Sequence, residues 1–121
     1  MYRGLNIREQ EWLDKLLNIE FKGKDILMKQ ISESKVAYEQ EYAFISLKFN
    51  IEKEVEQYPY QVRVPVEMRA YQNESAPIVF LLHIIGGIIN ELEIISADSS
   101  EIKADCIELE NVQYEVNKVV L

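Results

Sequence analysis

The stretch Val79–Ile95, VFLLHIIGGIINELEII, constrains this chain more than any other. It is too long and too apolar for a loop, and Gly86 and Gly87 stand at its centre. A two-residue hairpin turn needs positive φ at both central positions, which Gly-Gly supplies without steric cost. Two antiparallel strands are therefore expected to meet there. With regular pairing, Ile85 faces Ile88, His83 faces Asn90, Leu81 faces Leu92 and Val79 faces Ile94 on one side of the sheet. On the other, Ile84 faces Ile89, Leu82 faces Glu91, Phe80 faces Glu93 and Ile78 faces Ile95. The first strand is apolar on both faces apart from His83, as a central, covered strand would be. The second is apolar on one face only, so Glu91 and Glu93 are expected to meet solvent, a partner or a cleft.

Asn6 and Glu9 have capping-box spacing, and Trp12, Leu13, Leu16 and Leu17 continue from them as a helical stripe. Gly23 interrupts that pattern, and a shorter helix is expected over residues 24–32, with DILMKQI also readable as a strand. From Lys35 the apolar period changes to two, giving two strands or one bent strand up to Phe49. The charged segment NIEKEVEQYPY reads as a flexible surface loop of about ten residues. Val62, Val64, Val66, Met68 and Ala70 then form an apolar face, with Pro65 hinting at an edge or bulge. QNESAP reads as a turn, SADSSEIKAD as a polar loop, and IELENVQYEVNKVV as one or two closing strands. The expected architecture is α+β: residues 1–121 as a single domain, with two N-terminal helices packed on one mainly antiparallel sheet of about five or six strands.

Composition removes several function classes. A formal charge of −8 without a basic stripe argues against nucleic acid as a partner, while an acidic surface speeds encounter with a basic protein. Cys106 is the only cysteine, so no internal disulfide or cysteine-based zinc site is expected, and a reducing, cytoplasmic setting suits the chain. The apolar tract from Pro77 to Ile89 is shorter than a spanning helix needs, and no membrane association is expected. With His83 as the only histidine, a multi-histidine metal site is excluded. The four glycines form no phosphate loop, the serines form no nucleophile elbow, and no cofactor is expected.

His83 has two readings. One is a core imidazole satisfied by a carbonyl or by Asn90; the other is a pocket residue, with Asn90 beside it, acting as a general base. The regular hairpin puts both glutamates on the opposite face from His83, which counts against a His-Glu dyad. Glu91 and Glu93 have side-chain origins roughly 7 Å apart by strand rise, within the broad range of paired carboxylates in glycosidases. Chance pairs are common among 21 acidic residues, and a solvated face or a patch reading a partner's arginines is the plainer role. Tyr58 and Tyr60 are candidate partner-binding anchors, or aromatics that fix their own loop to the domain. Cys106, close to Asp105 and Glu108, is expected to be structural.

The segments YRGLNIREQEWLDKLL, FKGKDILMKQI and LLHIIGGIINELEIISADSSEI together resemble a family of small, uncharacterised bacterial α+β proteins. The resemblance covers about two thirds of the chain and rests most on His83, Gly87, Glu91, Leu92 and Glu93. Gly86 stands where the pattern has Asp or Asn. The hairpin is also similar to those of immunity proteins in contact-dependent toxin systems. That similarity implies a non-enzymatic, stoichiometric inhibitor whose acidic face, including Glu91 and Glu93, docks on a basic protein toxin. A small ligand-binding domain or enzyme using His83 is the alternative, and a homo-oligomer formed through exposed apolar strand faces is a third reading.

Overall fold

Asn6 and Glu9 close both bonds of the capping box: the Asn6 side chain accepts from the Glu9 amide at 2.8 Å, and Glu9 accepts from the Asn6 amide at 3.0 Å. The first helix, α1 (Ile7–Leu16), starts there and buries Trp12, Leu13 and Leu16. Arg3 adds two bonds to the Glu9 carboxylate, at 2.8 and 2.7 Å, and Glu9 is 0 % exposed. The second helix, α2 (Lys24–Ser32), begins after Gly23 at φ 80°. No larger residue suits position 23, because a Cβ there would lie 2.5 Å from the Tyr58 ring.

In this computed structural model, residues 1–73 and 76–121 are described. Six antiparallel strands follow the helices: β1 (Lys35–Glu41), β2 (Phe44–Asn50), β3 (Val66–Gln72), β4 (Ile78–Ile85), β5 (Ile88–Ser96) and β6 (Ile107–Val116). Their order in the sheet is β1-β2-β5-β4-β3-β6, so the β4–β5 hairpin is central. The change of period at Lys35 thus marks a hairpin of two strands, and the closing segment forms one. The turn expected over QNESAP includes Glu74 and Ser75, which lie outside the described residues.

The core lies between the helices and one face of the sheet. Trp12 meets Phe80 edge to face at 5.9 Å, and Ile45, Leu47, Met68, Ile78, Leu82, Leu92 and Ile94 around it are fully buried. The Tyr114 hydroxyl, from β6, donates to the Lys15 carbonyl at the end of α1. Both helices thus serve the face that carries Phe80. On the opposite face, Phe44, Val79, Leu81 and Ile95 remain half-exposed.

Residues 51–65 form a longer loop than expected, and it is tied down along its length. β3 begins only at Val66, since Pro65 has no N–H to give to a ladder. The Tyr58 amide donates to the Gly87 carbonyl at 2.8 Å, its hydroxyl to the Lys22 carbonyl at 2.6 Å, and the Ile84 amide to the Arg63 carbonyl at 2.7 Å. Buried Gln30 bridges the Glu56 and Gly87 carbonyls and accepts from the Ile89 amide. These links join the loop to the hairpin tip, to α2 and to the Lys22 carbonyl ahead of α2.

The polar segment after β5 also hides a core residue. Ile102 is 1 % exposed, and its amide donates to the Tyr42 carbonyl. Cys106, expected to be structural, is exposed on a short 3-10 turn (Ala104–Cys106).

Two measurements test these anchors. Gly86 and Gly87 adopt φ 60° and 79°, but only Gly87 is crowded: a Cβ there would meet the Gln57 Cβ at 3.0 Å and the Tyr58 carbonyl at 3.1 Å. Gly87→Ala should cost about 2 kcal/mol in urea unfolding, and Gly86→Asn, with nothing near and a residue that tolerates this backbone, well under about 1. Glu9 tests the cap. Burial raises its carboxyl, but the Arg3 bond, the Asn6 amide and the Arg3 and Arg8 charges outweigh this and hold it below the ordinary 4.5. A depressed folded value means stability that is present above the unfolded value and lost as pH falls through the folded one. Glu9→Gln should therefore be less stable than the parent at neutral pH by about 1.5–3 kcal/mol, and the gap should narrow as pH drops below 4.5.

Candidate functional site on the open sheet face

The expected hairpin pairing holds for its first two rungs, Ile85 with Ile88 and Ile84 with Ile89, and then shifts. Beyond them His83 pairs with Glu91, Leu82 with Leu92, Leu81 with Glu93, Phe80 with Ile94 and Val79 with Ile95. Asn90 is the extra residue of a β-bulge, left exposed and opposite no residue. The expected facing of His83 by Asn90, and of the glutamates by Leu82 and Phe80, is corrected accordingly. The physical reason lies in β5 itself. Ile89 falls on one parity and Leu92 and Ile94 on the other, so all three reach the core only if one residue is inserted between them.

The shift overturns the argument against a His-Glu contact, because His83, Glu91 and Glu93 now share the open face. The His83 Nε2 lies 2.9 Å from Glu93 Oε1, and Arg63 Nε donates to His83 Nδ1 at 3.1 Å. A guanidinium N–H can only donate, so Nδ1 is the acceptor, and the ring proton sits on Nε2 and points at Glu93. Both ring nitrogens are thus engaged. The side chains of His83 and Glu93 are 15 % and 30 % exposed, which makes this a contact on an open surface. His83 is not a core residue.

Cross-strand partners share a face, so the ladder reads out the rest of the surface. One row carries Glu39, Ser46, Glu93, Leu81, Glu67 and Glu115; the next carries Glu41, Phe44, Ile95, Val79, Arg69 and Gln113. Ser46 donates to Glu91, so its hydroxyl is committed to a carboxylate and not to His83. Arg69 pairs with Glu67 at 3.1 Å and with Glu115 at 3.6 Å. The result is a shallow aliphatic and aromatic centre with carboxylates around it. Among the described residues no cluster of three or more His, Cys, Asp or Glu side chains converges as a metal site would require.

The remaining sequence candidates separate. Tyr58 is 3 % exposed, is packed against Gly23 and Tyr60, and burial pushes its phenol up to about 12. It anchors its own loop and presents nothing to a partner. Tyr60 is half-buried beside it, at the hairpin tip rather than on the carboxylate face. Arg63 escaped sequence reasoning; the only signal was its place just ahead of Pro65, where the chain had to run beside β4 without yet being a strand.

The bonding at His83 gives a direct spectroscopic expectation. Ring ¹⁵N shifts at neutral pH should show the Nε2–H tautomer, and Arg63→Gln should raise the Nδ1–H share, because the donor that reserves the Nδ1 lone pair is weakened. An Nδ1–H ring in the parent protein would contradict the arrangement. Set against family models, curated proteins and solved structures, the chain has no match, so the role of this face is argued from its own chemistry.

Proposed function

We propose that the chain is a non-enzymatic protein-binding domain, working in the cytoplasm as an immunity-type inhibitor, whose open sheet face docks on a basic protein such as a toxin. The observation that carries this reading is the half-exposed patch of Phe44, Ile95, Val79 and Leu81, set among carboxylates on a face that the helices leave open. Apolar contact area supplies affinity and surrounding charge supplies partner choice and encounter rate. Counting outward positions across the strands, Glu39, Glu41, Glu67, Glu91, Glu93, Glu108 and Glu115 outnumber Lys35, Lys48 and Arg69. Two such faces would repel, which makes a second copy of the chain a poorer occupant than a basic partner. Among the described residues no helix is long and apolar enough to cross a membrane.

The His83–Glu93 contact favours one other reading, a small ligand-binding domain or enzyme centred on His83. Against a catalytic base stands the Nδ1 lone pair, already taken by Arg63. Without a free lone pair the ring positions its neighbours and moves no substrate proton.

The docking reading is tested by affinity capture with three forms of the chain: parent, Glu91→Ala with Glu93→Ala, and Leu81→Arg. The parent should retain a basic protein in a one-to-one complex that weakens steeply with salt. The glutamate pair should cost about tenfold or more in affinity, and Leu81→Arg should abolish capture while leaving the unfolding midpoint nearly unchanged. Capture that is indifferent to all three substitutions would place the interface elsewhere.

A further inference from the structure

Arg63 stands apart from the other arginines. Arg3 is paired with Glu9 at 2.7 Å, Arg8 with Asp105 at 2.6 Å and Arg69 with Glu67 at 3.1 Å. Arg63 has no carboxylate at ion-pair distance among the described residues, in a chain that carries 21 acidic side chains. Its Nε is committed to His83, which leaves the two terminal nitrogens of the guanidinium fork unengaged. Those nitrogens are the edge that binds a carboxylate through two parallel bonds.

Arg63 lines a groove of about 730 Å³ between the loop residues 57–63 and the hairpin tip 84–87. Backbone bonds pin the groove at both ends, from Tyr58 to Gly87 and from Ile84 to Arg63. Among the described residues, Arg63 is the one charged residue in its lining, on a protein of formal charge −8. The Gln57 and Gln61 amides and the Tyr60 hydroxyl have no hydrogen-bond partner among the described residues. Pro59 and Ile85, the latter 47 % exposed, form an apolar ledge beside them.

We propose that this groove binds a carboxylate carried on an apolar or aromatic group, with the anion on the Arg63 fork and the apolar part against Tyr60, Pro59 and Ile85. One fixed cation matches one negative charge, which favours a monoanion over a phosphate. His83 is a positioning residue here: its Nδ1 holds the guanidinium by Nε so that the fork faces the groove. A free organic acid and a peptide C-terminus present the same chemistry. The groove lies at the end of the hairpin and Arg63 links it to His83 at the margin of the carboxylate face; binding there does not depend on the docking reading.

The experiment is an amide-resolved NMR titration of the full chain with four probes: N-acetylphenylalanine, its neutral amide, a tetrapeptide ending in phenylalanine with a free C-terminus, and inorganic phosphate. The free acid should shift Tyr60, Gln61, Ile85, Gly86 and Gly87, and the amide should not. Arg63→Gln should weaken the acid about tenfold or more, with Arg63→Lys in between. His83→Phe should weaken it severalfold, whereas His83→Gln, whose carbonyl oxygen still accepts from Nε, should restore it. Binding of the tetrapeptide at least as tight as that of the small acid supports the proposal with a chain terminus as source; binding of the small acid alone supports it with a free organic acid. The proposal is overturned if the amide binds as well as the acid, if phosphate binds more tightly, if Arg63→Gln changes nothing, or if no probe shifts the groove. Equal binding by His83→Phe and the parent removes His83 from the site.

Discussion

The structure depends on a mismatch of parity within one strand. Ile89 must face the helices, and so must Leu92 and Ile94, yet an uninterrupted strand sends odd and even residues to opposite sides. Kept regular, the hairpin would set Glu91 across from Leu82 and Glu93 across from Phe80, turning two carboxylates into the driest part of the molecule. An unpaired buried charge costs several kcal/mol, while a bulge gives up one exposed ladder position. The bulge at Asn90 is the cheaper solution, and it decides what appears on each side of the sheet.

Its consequences extend across the fold. Inward, Phe80, Leu82, Leu92 and Ile94 form a continuous apolar surface for Trp12 and the helices. Outward, His83 joins Glu91 and Glu93, and the imidazole becomes the link between a carboxylate on β5 and the guanidinium of the adjoining loop. The same loop is held to the hairpin tip through Gly87, where added bulk would meet the Tyr58 backbone. One hairpin therefore organises the core, the open face and the groove at its end, while the helices pack on the core and α2, through Gln30, also holds the hairpin tip.

Local signals in the chain were legible and distant ones were not. The capping box at Asn6 and Glu9 and the break at Gly23 placed both helices, and Gly86 and Gly87 marked the turn, since each is a short-range requirement on a few backbone angles. The register was misplaced because regular alternation was assumed past Ile89, although the parity of Leu92 and Ile94 already recorded the inserted residue. Tyr58 and Ile102 sit in stretches whose neighbours are polar, and their burial comes from partners far along the chain. The Arg63–His83 bond joins residues 20 positions apart and follows from the corrected register, so no inspection of either residue alone would have found it.

The central claim is tested most directly by cross-strand backbone NOEs within the hairpin. The account requires contacts between Leu82 and Leu92 and between Phe80 and Ile94, with Asn90 left out of the ladder. Contacts of Leu82 with Glu91 and of Phe80 with Glu93 would show an unbulged hairpin, return the carboxylates to the helix side and contradict the account.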